Sequence, residues 1–410
     1  MKQLASAGIT LMTLSLSGSS LYGFESTKVL PEGVRNLTVK SVHTTIGHKS
    51  NNQGGIDPIA EPLEKNLDFE RVVKGEIGIK KKSLQSLMLH EGFSPEDTLG
   101  QFSADMQGRV SVTAPILSWG ITDKLTLAIA APWYQAKMGV KVGFNMNHEN
   151  INKLKDSLQE KSQYQALTDV SSKLNDAVGE LQEKLRDNGF REMRDWDGKG
   201  LGDMTIAGKY RAIDGDLFKL ATTNGIIAPT GRVSDPDILN DIPFGRGTWD
   251  VFSAVITDEY LGKDLFFNQY AKFTYPFKST KEIRLATEDE AIEVDKATVV
   301  YKLGPKWEAG ASVQYEPQSG LVAGLGYVVA KKLGDSYEIE NNPDSRSKLQ
   351  KDTHEQSQHW EAKLGYSGIP AYQRGEIPAP FSATIEYKRH IASVNSFSND
   401  FVTVDLALFF

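Results

Sequence analysis

Histidine is the first residue type to check for catalysis, and the chain carries seven of them. No two have the His-Glu-x-x-His spacing of a zinc protease, and no other metal-binding spacing is recognisable. His359 and His390 fall on adjacent predicted strands, where a pair could serve a hydrolase on the wall of a barrel. The full set is His43, His48, His90, His148, His354, His359 and His390.

Other catalytic and metal-binding patterns are equally sparse. The absence of cysteine excludes thiolate metal sites and cysteine nucleophiles. The stretch Gly365-Tyr366-Ser367-Gly368 lacks the second spacer of a nucleophile elbow. Asp235, Asp237 and Asp241 lie in one loop and could offer oxygen ligands to calcium, but without the EF-hand pattern or its glycine. We therefore predict no enzymatic activity, no metal and no cofactor.

The composition narrows the class of protein. The 410 residues include 40% hydrophobic and 24% charged side chains, which is enough apolar material for an ordered fold. The formal net charge of −7 argues against a nucleic-acid partner, since such proteins present a basic surface.

The amino-terminal end has the pattern of a secretory signal peptide. Lys2 precedes an apolar run from Ala7 to Leu16, and small residues follow, so cleavage is expected between Ser19 and Gly23. The run is too short for a membrane-spanning helix. We divide the chain into a signal peptide (1–23), a barrel (24–410) and a helical loop insertion within it (148–187).

Alternation of apolar and polar residues with a period of two dominates the rest of the chain. In the last ten residues, Val402, Val404, Leu406, Leu408 and Phe410 share one face. Similar alternation, with aromatic residues near the ends of the apolar face, occurs around Trp307 and Trp360. Apolar faces with aromatic girdles are typical of strands in transmembrane barrels.

The connections between these strands alternate between short turns and long polar stretches, as in outer-membrane barrels. The short turns are predicted at 120–124, 214–216, 262–264, 304–306 and 332–335. The long stretches lie near 48–100, 145–200, 229–247, 277–293 and 341–355. The sequence thus predicts an all-β fold, a transmembrane antiparallel barrel of about 14 strands.

The weakest predicted strand is 335–341, and without it the even number required of the barrel would be twelve. The strands are 35–46, 103–119, 125–144, 202–213, 217–228, 248–260, 265–276, 294–303, 306–316, 320–330, 335–341, 356–366, 379–390 and 400–410.

If the apolar faces meet lipid, the opposite faces line the lumen. The predicted lumen residues carry both charges in similar numbers, which favours ion pairs across the wall over a filter for one sign. They are Asp105, Arg109, Lys209, Arg211, Lys272, Glu308, Glu361, Lys363, Glu386, Lys388 and Asp405.

Residues 148–187 break the strand pattern, because their apolar residues recur at helical spacing. A helical hairpin with a break near Gln163 is expected. Its apolar stripe could pack helix on helix, cover the barrel mouth as a lid or plug, or bind a partner. At the other end of the chain, Phe410 closes the last alternating strand and resembles the signal read by the barrel-assembly machinery.

Four short stretches resemble a known group of outer-membrane proteins, the "putative MetA-pathway of phenol degradation" family, which is distantly FadL-like. They are Leu30-Pro31-Glu32-Gly33-Val34-Arg35, Gly120-Ile121-Thr122-Asp123-Lys124-Leu125, Gly200-Leu201-Gly202-Asp203 and Ile227-Ala228-Pro229-Thr230-Gly231-Arg232.

The resemblance implies a passive channel of the bacterial outer membrane for small solutes, hydrophobic or aromatic compounds among them. The expected partners are outer-membrane lipids, the assembly machinery and the solute. Unlike FadL itself, residues 24–34 offer no obvious apolar plug, and the helical loop could take that place. The alternative functions are a structural or adhesive surface barrel and, more remotely, a barrel hydrolase.

Overall fold

The computed structural model describes residues 25–69, 92–160, 172–285, 295–339 and 343–410. Its body is a closed antiparallel barrel of twelve strands, two of them interrupted, and we call each continuous or interrupted strand a wall. Ten walls are single strands: β1 (Arg35–Ile46), β5 (Thr98–Thr122), β10 (Phe218–Ala228), β11 (Asp250–Tyr260), β12 (Leu265–Pro276), β15 (Lys306–Tyr315), β16 (Leu321–Lys332), β18 (Glu355–Ser367), β19 (Phe381–Val394) and β20 (Phe401–Phe409).

Two further walls are interrupted. One consists of β6 (Leu125–Ala130) and β7 (Trp133–Met146), and the next of β8 (Trp196–Leu201) and β9 (Met204–Asp214). The interruptions lie side by side, because the amide of Gly202 donates to the carbonyl of Pro132 at 2.7 Å. Proline has no amide hydrogen to give to a ladder, which explains the break in the first of these walls.

The barrel closes because β1 pairs with β20 on one side and with β5 on the other. Leu37, for example, stands opposite Leu408 and Leu117 in the two ladders. Closure removes the edge between the first and last strands, as a wall surrounded by lipid requires, while β8 pairs with β7 alone. The predicted fold class is confirmed, with twelve walls in place of about fourteen.

The two surplus predicted strands lie in a small sheet outside the barrel. The segments 294–303 and 335–341 contain β14 (Lys296–Lys302) and β17 (Ser336–Glu338). β14 is the central strand and pairs with β17 on one side and with β13 (Ser279–Arg284) on the other. Their apolar residues Val299, Tyr301, Leu303 and Tyr337 form a separate core. Alternation alone cannot distinguish such a sheet from a barrel wall.

This difference also corrects two of the predicted turns. Residues 304–306 and 332–335 connect the small sheet to the barrel at the long-loop end. The short-turn end carries 316–320 and a segment with helix α4 (Ile369–Gln373) instead. The remaining strands are the loop elements β2 (His48–Ser50), β3 (Ile56–Pro58) and β4 (Asn66–Asp68).

Three more helices belong to the long-loop end: α1 (His148–Glu160), α2 (Ala177–Asp187) and α3 (Pro343–Gln350). The helical insertion expected at 148–187 is thus seen at both of its ends, while 161–171, including the predicted break near Gln163, lie outside the described residues. The proposed signal peptide 1–23 also lies outside them. Among the described helices, none is long and apolar enough to cross a membrane.

The two faces of the wall follow the predicted alternation over most of the barrel. On β1, Leu37 and Val39 are exposed, whereas Asn36, Thr38 and Lys40 are buried. The exposed face carries tryptophans such as Trp119, Trp307 and Trp360. An apolar outer surface with a polar interior is the arrangement that a wide barrel in lipid requires.

Candidate functional site

The segment before the first strand runs inside the barrel, and we refer to residues 25–33 as the N-terminal plug. The amide and hydroxyl of Thr27 both donate to the Asp258 carboxylate on β11, at 2.9 and 2.5 Å. Lys209 donates to the carbonyl of Ser26 at 2.9 Å. Thr27 is fully buried, so the segment fills space within the lumen.

Further contacts fasten the plug along its length. Lys28 forms an ion pair with Glu316, and the amide of Leu30 donates to the Thr126 hydroxyl at 2.7 Å. Leu30 packs with Ala407 and Phe409 on the inner face of β20. The sequence expectation concerned an apolar plug, whereas hydrogen bonds and charge hold the plug seen here, so a search for apolar sequence does not find it.

Gly120 allows the plug to approach the wall. The amide of Gly33 donates to the Gly120 carbonyl, and the amide of Gly120 donates to the Val34 carbonyl, each at 2.9 Å. A Cβ atom on Gly120 would lie 1.9 Å from the Pro31 carbonyl oxygen, far inside van der Waals contact. Only glycine fits at this position without displacement of the plug.

The variant Gly120→Ala is expected to lose about 2 kcal/mol of stability, because the plug backbone must move away from the new methyl group. The measurement is urea unfolding of the refolded barrel. The control is Gly262→Ala, where a Cβ would meet no atom within 4 Å. Equal stability of the two variants would contradict a tightly docked plug.

The structure places nine of the predicted lumen residues on the inner face. Lys388 forms ion pairs with Glu361 and Glu386, and Lys40 pairs with Asp405 at 3.5 Å. Arg211 lies at the short-turn rim, where it pairs with Asp214 at 3.0 Å. The nine are Lys209, Arg211, Lys272, Glu308, Glu361, Lys363, Glu386, Lys388 and Asp405.

Asp105 and Arg109 do not line the lumen. Both are exposed and share the outer face of β5 with Leu117 and Trp119. The inner face of this strand is instead apolar, with Val110 and its neighbours buried. The assumption of a polar lumen face failed here because this wall packs against protein segments.

Those segments fold into the long-loop end of the barrel, and we call them the inner lid (residues 181–193 and 239–244). Leu185 from the helical insertion, with Phe190 and Met193 directly after it, joins Ile242 and Phe244 from the loop after β10. They form one cluster with inward-facing wall residues, and Phe244 stacks on Tyr134 at 5.3 Å. Of the three roles considered for the helical insertion, its second helix therefore fits a lid.

An arginine and an aspartate hold the lid loop in shape. Both guanidinium NH groups of Arg232 donate to the Asp241 carboxylate, at 2.8 and 2.7 Å, and the Asp241 side chain is only 1% exposed. Arg232 also lies over the rings of Trp196 and Phe244. Arg232 thus connects the loop after β10 with Trp196 on β8.

The Gly200–Asp203 and Ile227–Arg232 stretches meet at the same place. The Asp203 carboxylate accepts from the amides of Gly231 and Arg246, at 2.9 and 2.8 Å. The Thr230 hydroxyl donates to the Gly202 carbonyl at 2.7 Å. Both stretches carry part of the family resemblance, but their pairing with each other could not be derived from spacing.

Arg284 joins the small extracellular sheet to the lid. Its guanidinium donates to the carbonyls of Asn188 and Gly189 at 2.9 Å and to the Asp237 carboxylate at 2.6 Å. Burial would raise the pKa of Asp237, but hydrogen bonds from Lys296 and Arg284 outweigh it and hold that pKa below its usual value. The contact therefore keeps its charge in mildly acidic medium.

The residues first considered for catalysis have other partners. Asp235, Asp237 and Asp241 pair with Arg191, Arg284 and Arg232 respectively. Across the described part of the chain, no three potential ligands are grouped to hold a metal. His359 and His390 stand opposite each other, with ring centroids 5.8 Å apart. Asp400 accepts from the backbone amide of His390, while Nε2 of the His390 ring lies 2.8 Å from the Ser393 hydroxyl.

A family model described as "Putative MetA-pathway of phenol degradation" matches residues 94–347, more than half of the chain. The chain belongs to this family. No curated protein matches it in sequence. An outer membrane channel from Pseudomonas putida F1 is 12% identical, with a TM-score of 0.52 over 94% of this chain and 98% of that one. At this identity the likeness shows the fold, that of an outer-membrane barrel.

Two other solved structures resemble this family member more loosely. A Pseudomonas aeruginosa FadL homologue is 8% identical, with a TM-score of 0.34, and the Ralstonia pickettii toluene transporter TbuX is 10% identical, with a TM-score of 0.35. The first match covers 92% of this chain and the second 93%, and each covers 90% of the other chain.

Proposed function

We propose that the protein is a passive outer-membrane channel for the uptake of small hydrophobic or aromatic solutes. The observation that supports this most is a lumen obstructed by the chain itself, with the N-terminal plug inside the barrel and the inner lid at the long-loop end. A twelve-strand lumen is too wide to be filled by wall side chains alone. A general porin has no need of such obstruction.

The chemistry of the lumen agrees with an apolar solute. The lid and the walls β1, β5 and β7 present aliphatic and aromatic side chains at the long-loop end, among them Val42, Val112 and Tyr134. Paired charges such as Lys388 and Glu361 lie midway along β19 and β18, on another part of the inner face. The lumen thus presents apolar groups on one part of its wall and paired charges on another.

The same proposal includes the cellular setting. An apolar outer face with exposed tryptophans supports the bacterial outer membrane as the location. Outer-membrane lipids, the assembly machinery that would read Phe410, and the solute are the proposed partners, and nucleic acid is not among them. We also propose that the protein is not an enzyme: among the described hydrogen bonds, the one from His390 to Asp400 comes from the backbone amide and does not orient the ring.

Uptake assays test the function. Bacteria expressing the channel should take up a labelled monoaromatic compound such as toluene faster than cells without it, and arabinose no faster. The initial rate should rise linearly with concentration and should not change when the proton-motive force is dissipated, as expected for passive diffusion. Faster uptake of arabinose would favour a general porin, and unchanged uptake of both solutes would favour the structural or adhesive barrel.

A further inference from the structure

Basic side chains form a group on the outer face of the barrel, on β5 and on the two interrupted walls beside it. Arg109 on β5 stands directly opposite Lys137 on β7. Lys199 on β8 lies one step along the next ladder, opposite Gln135. All three are exposed, and we call them the outer basic patch. No described residue forms an ion pair with any of them.

The height of the patch on the wall can be derived from the strand. Arg109 lies ten residues beyond Trp119, which marks the aromatic girdle at the short-turn end. At about 3.4 Å per residue and a tilt of about 40°, the rise is roughly 26 Å. The apolar band of such barrels is about 25 Å tall. The patch therefore lies at the level of the lipid head groups of the outer leaflet.

The spacing of the patch fits a phosphate group. Directly opposite residues on neighbouring strands have Cβ atoms about 5 Å apart, and diagonal ones about 7–8 Å. Long basic side chains at these positions can converge on a single anion and lie along the apolar wall below it. Asp197 stands opposite Lys137, and Asp195, which accepts from the amide of Val140, lies two residues before it, so three basic groups against two carboxylates leave the patch net positive.

We propose that Arg109, Lys137 and Lys199 bind the phosphate groups of a phosphorylated outer-leaflet lipid. The inference rests on the proposed outer-membrane location, but not on the identity of the solute. It gives Arg109, expected from sequence to line the lumen, a different role. The acyl chains of the lipid would lie below the patch, against Trp133 and Leu201, which are paired and exposed.

The test is binding of diphosphoryl lipid A by the folded barrel in detergent micelles, followed by native mass spectrometry. The variant R109Q/K137Q should bind roughly 10- to 30-fold more weakly, since each basic side chain near an anionic surface contributes about a fivefold effect. The matched control is K331Q/R389Q, which also removes one lysine and one arginine from exposed positions, but on β16 and β19. It should bind as the unmodified chain does.

Dephosphorylated lipid A provides the second comparison. It should bind the unmodified chain as weakly as diphosphoryl lipid A binds R109Q/K137Q. Equal binding of the two lipids, or equal loss in the two variants, would overturn the proposal. Heat-dependent migration on gels verifies that each variant is folded. Toluene uptake by R109Q/K137Q should be unchanged, so failure of the lipid site and failure of the channel function remain distinguishable.

Discussion

Deletion of residues 25–31 is expected to raise the single-channel conductance in planar bilayers several-fold. The deleted segment occupies the lumen and makes direct hydrogen bonds to Asp258, Lys209 and Thr126 on three different walls. Its removal leaves a lumen that twelve strands hold open, since about eight already suffice for side chains to fill the interior. Ions would then cross with water.

A variant of unchanged length distinguishes occupancy from anchoring. Thr27→Val together with Lys28→Met removes the side-chain contacts to Asp258 and Glu316 but keeps the segment. Brief openings on a low baseline are expected for it, in contrast to the steady current of the deletion variant. A deletion variant that is folded and yet conducts no better than the intact chain would show that the plug does not limit the path.

Loss of Arg232 should have the largest effect on the lid. Arg232→Ala leaves the Asp241 carboxylate buried without its countercharge. Because the Arg232 side chain is itself 41% exposed, we expect the lid to become about 2 kcal/mol less stable against local opening. Hydrogen exchange of residues 229–247 measures this free energy. The double variant R232L/D241L should recover much of it, because an apolar pair leaves no charge buried.

An exposed ion pair provides the comparison. Lys278 and Glu338 pair in the extracellular sheet with side chains 61% and 58% exposed, so Lys278→Ala should cost less than about 1 kcal/mol. If hydrogen exchange in residues 229–247 rises equally in Arg232→Ala and Lys278→Ala, the ion pair between Arg232 and Asp241 does not hold the lid closed.

Period-two alternation predicted the walls well, because a strand between lipid and a polar lumen must alternate. The last wall, β20, lies where 400–410 were expected. The same signal failed for β14 and β17, whose alternation serves a small core of their own. It also misplaced Asp105 and Arg109, since the inner face of β5 is covered by the lid.

The N-terminal plug and the lid contacts had no comparable signal. Thr27 and Asp258 are 231 residues apart in the chain, and nothing in residues 25–33 alternates or repeats. Two of the four stretches that carried the family resemblance contain Asp203 and Arg232, which lie at the lid. Their partners Arg246 and Asp241 follow from tertiary contacts, which a single sequence does not display.

The closing ladder between β1 and β20 has a consequence for biogenesis. The Asn36 side chain bonds to the Leu408 carbonyl across a separation of 372 residues, so the barrel cannot close before the last strand has been made. Closing so long a chain segment carries an entropic cost that slows folding. The plug adjoins β1 and bonds to walls in the middle of the chain. During folding, the barrel must therefore close around the plug when β20 pairs with β1.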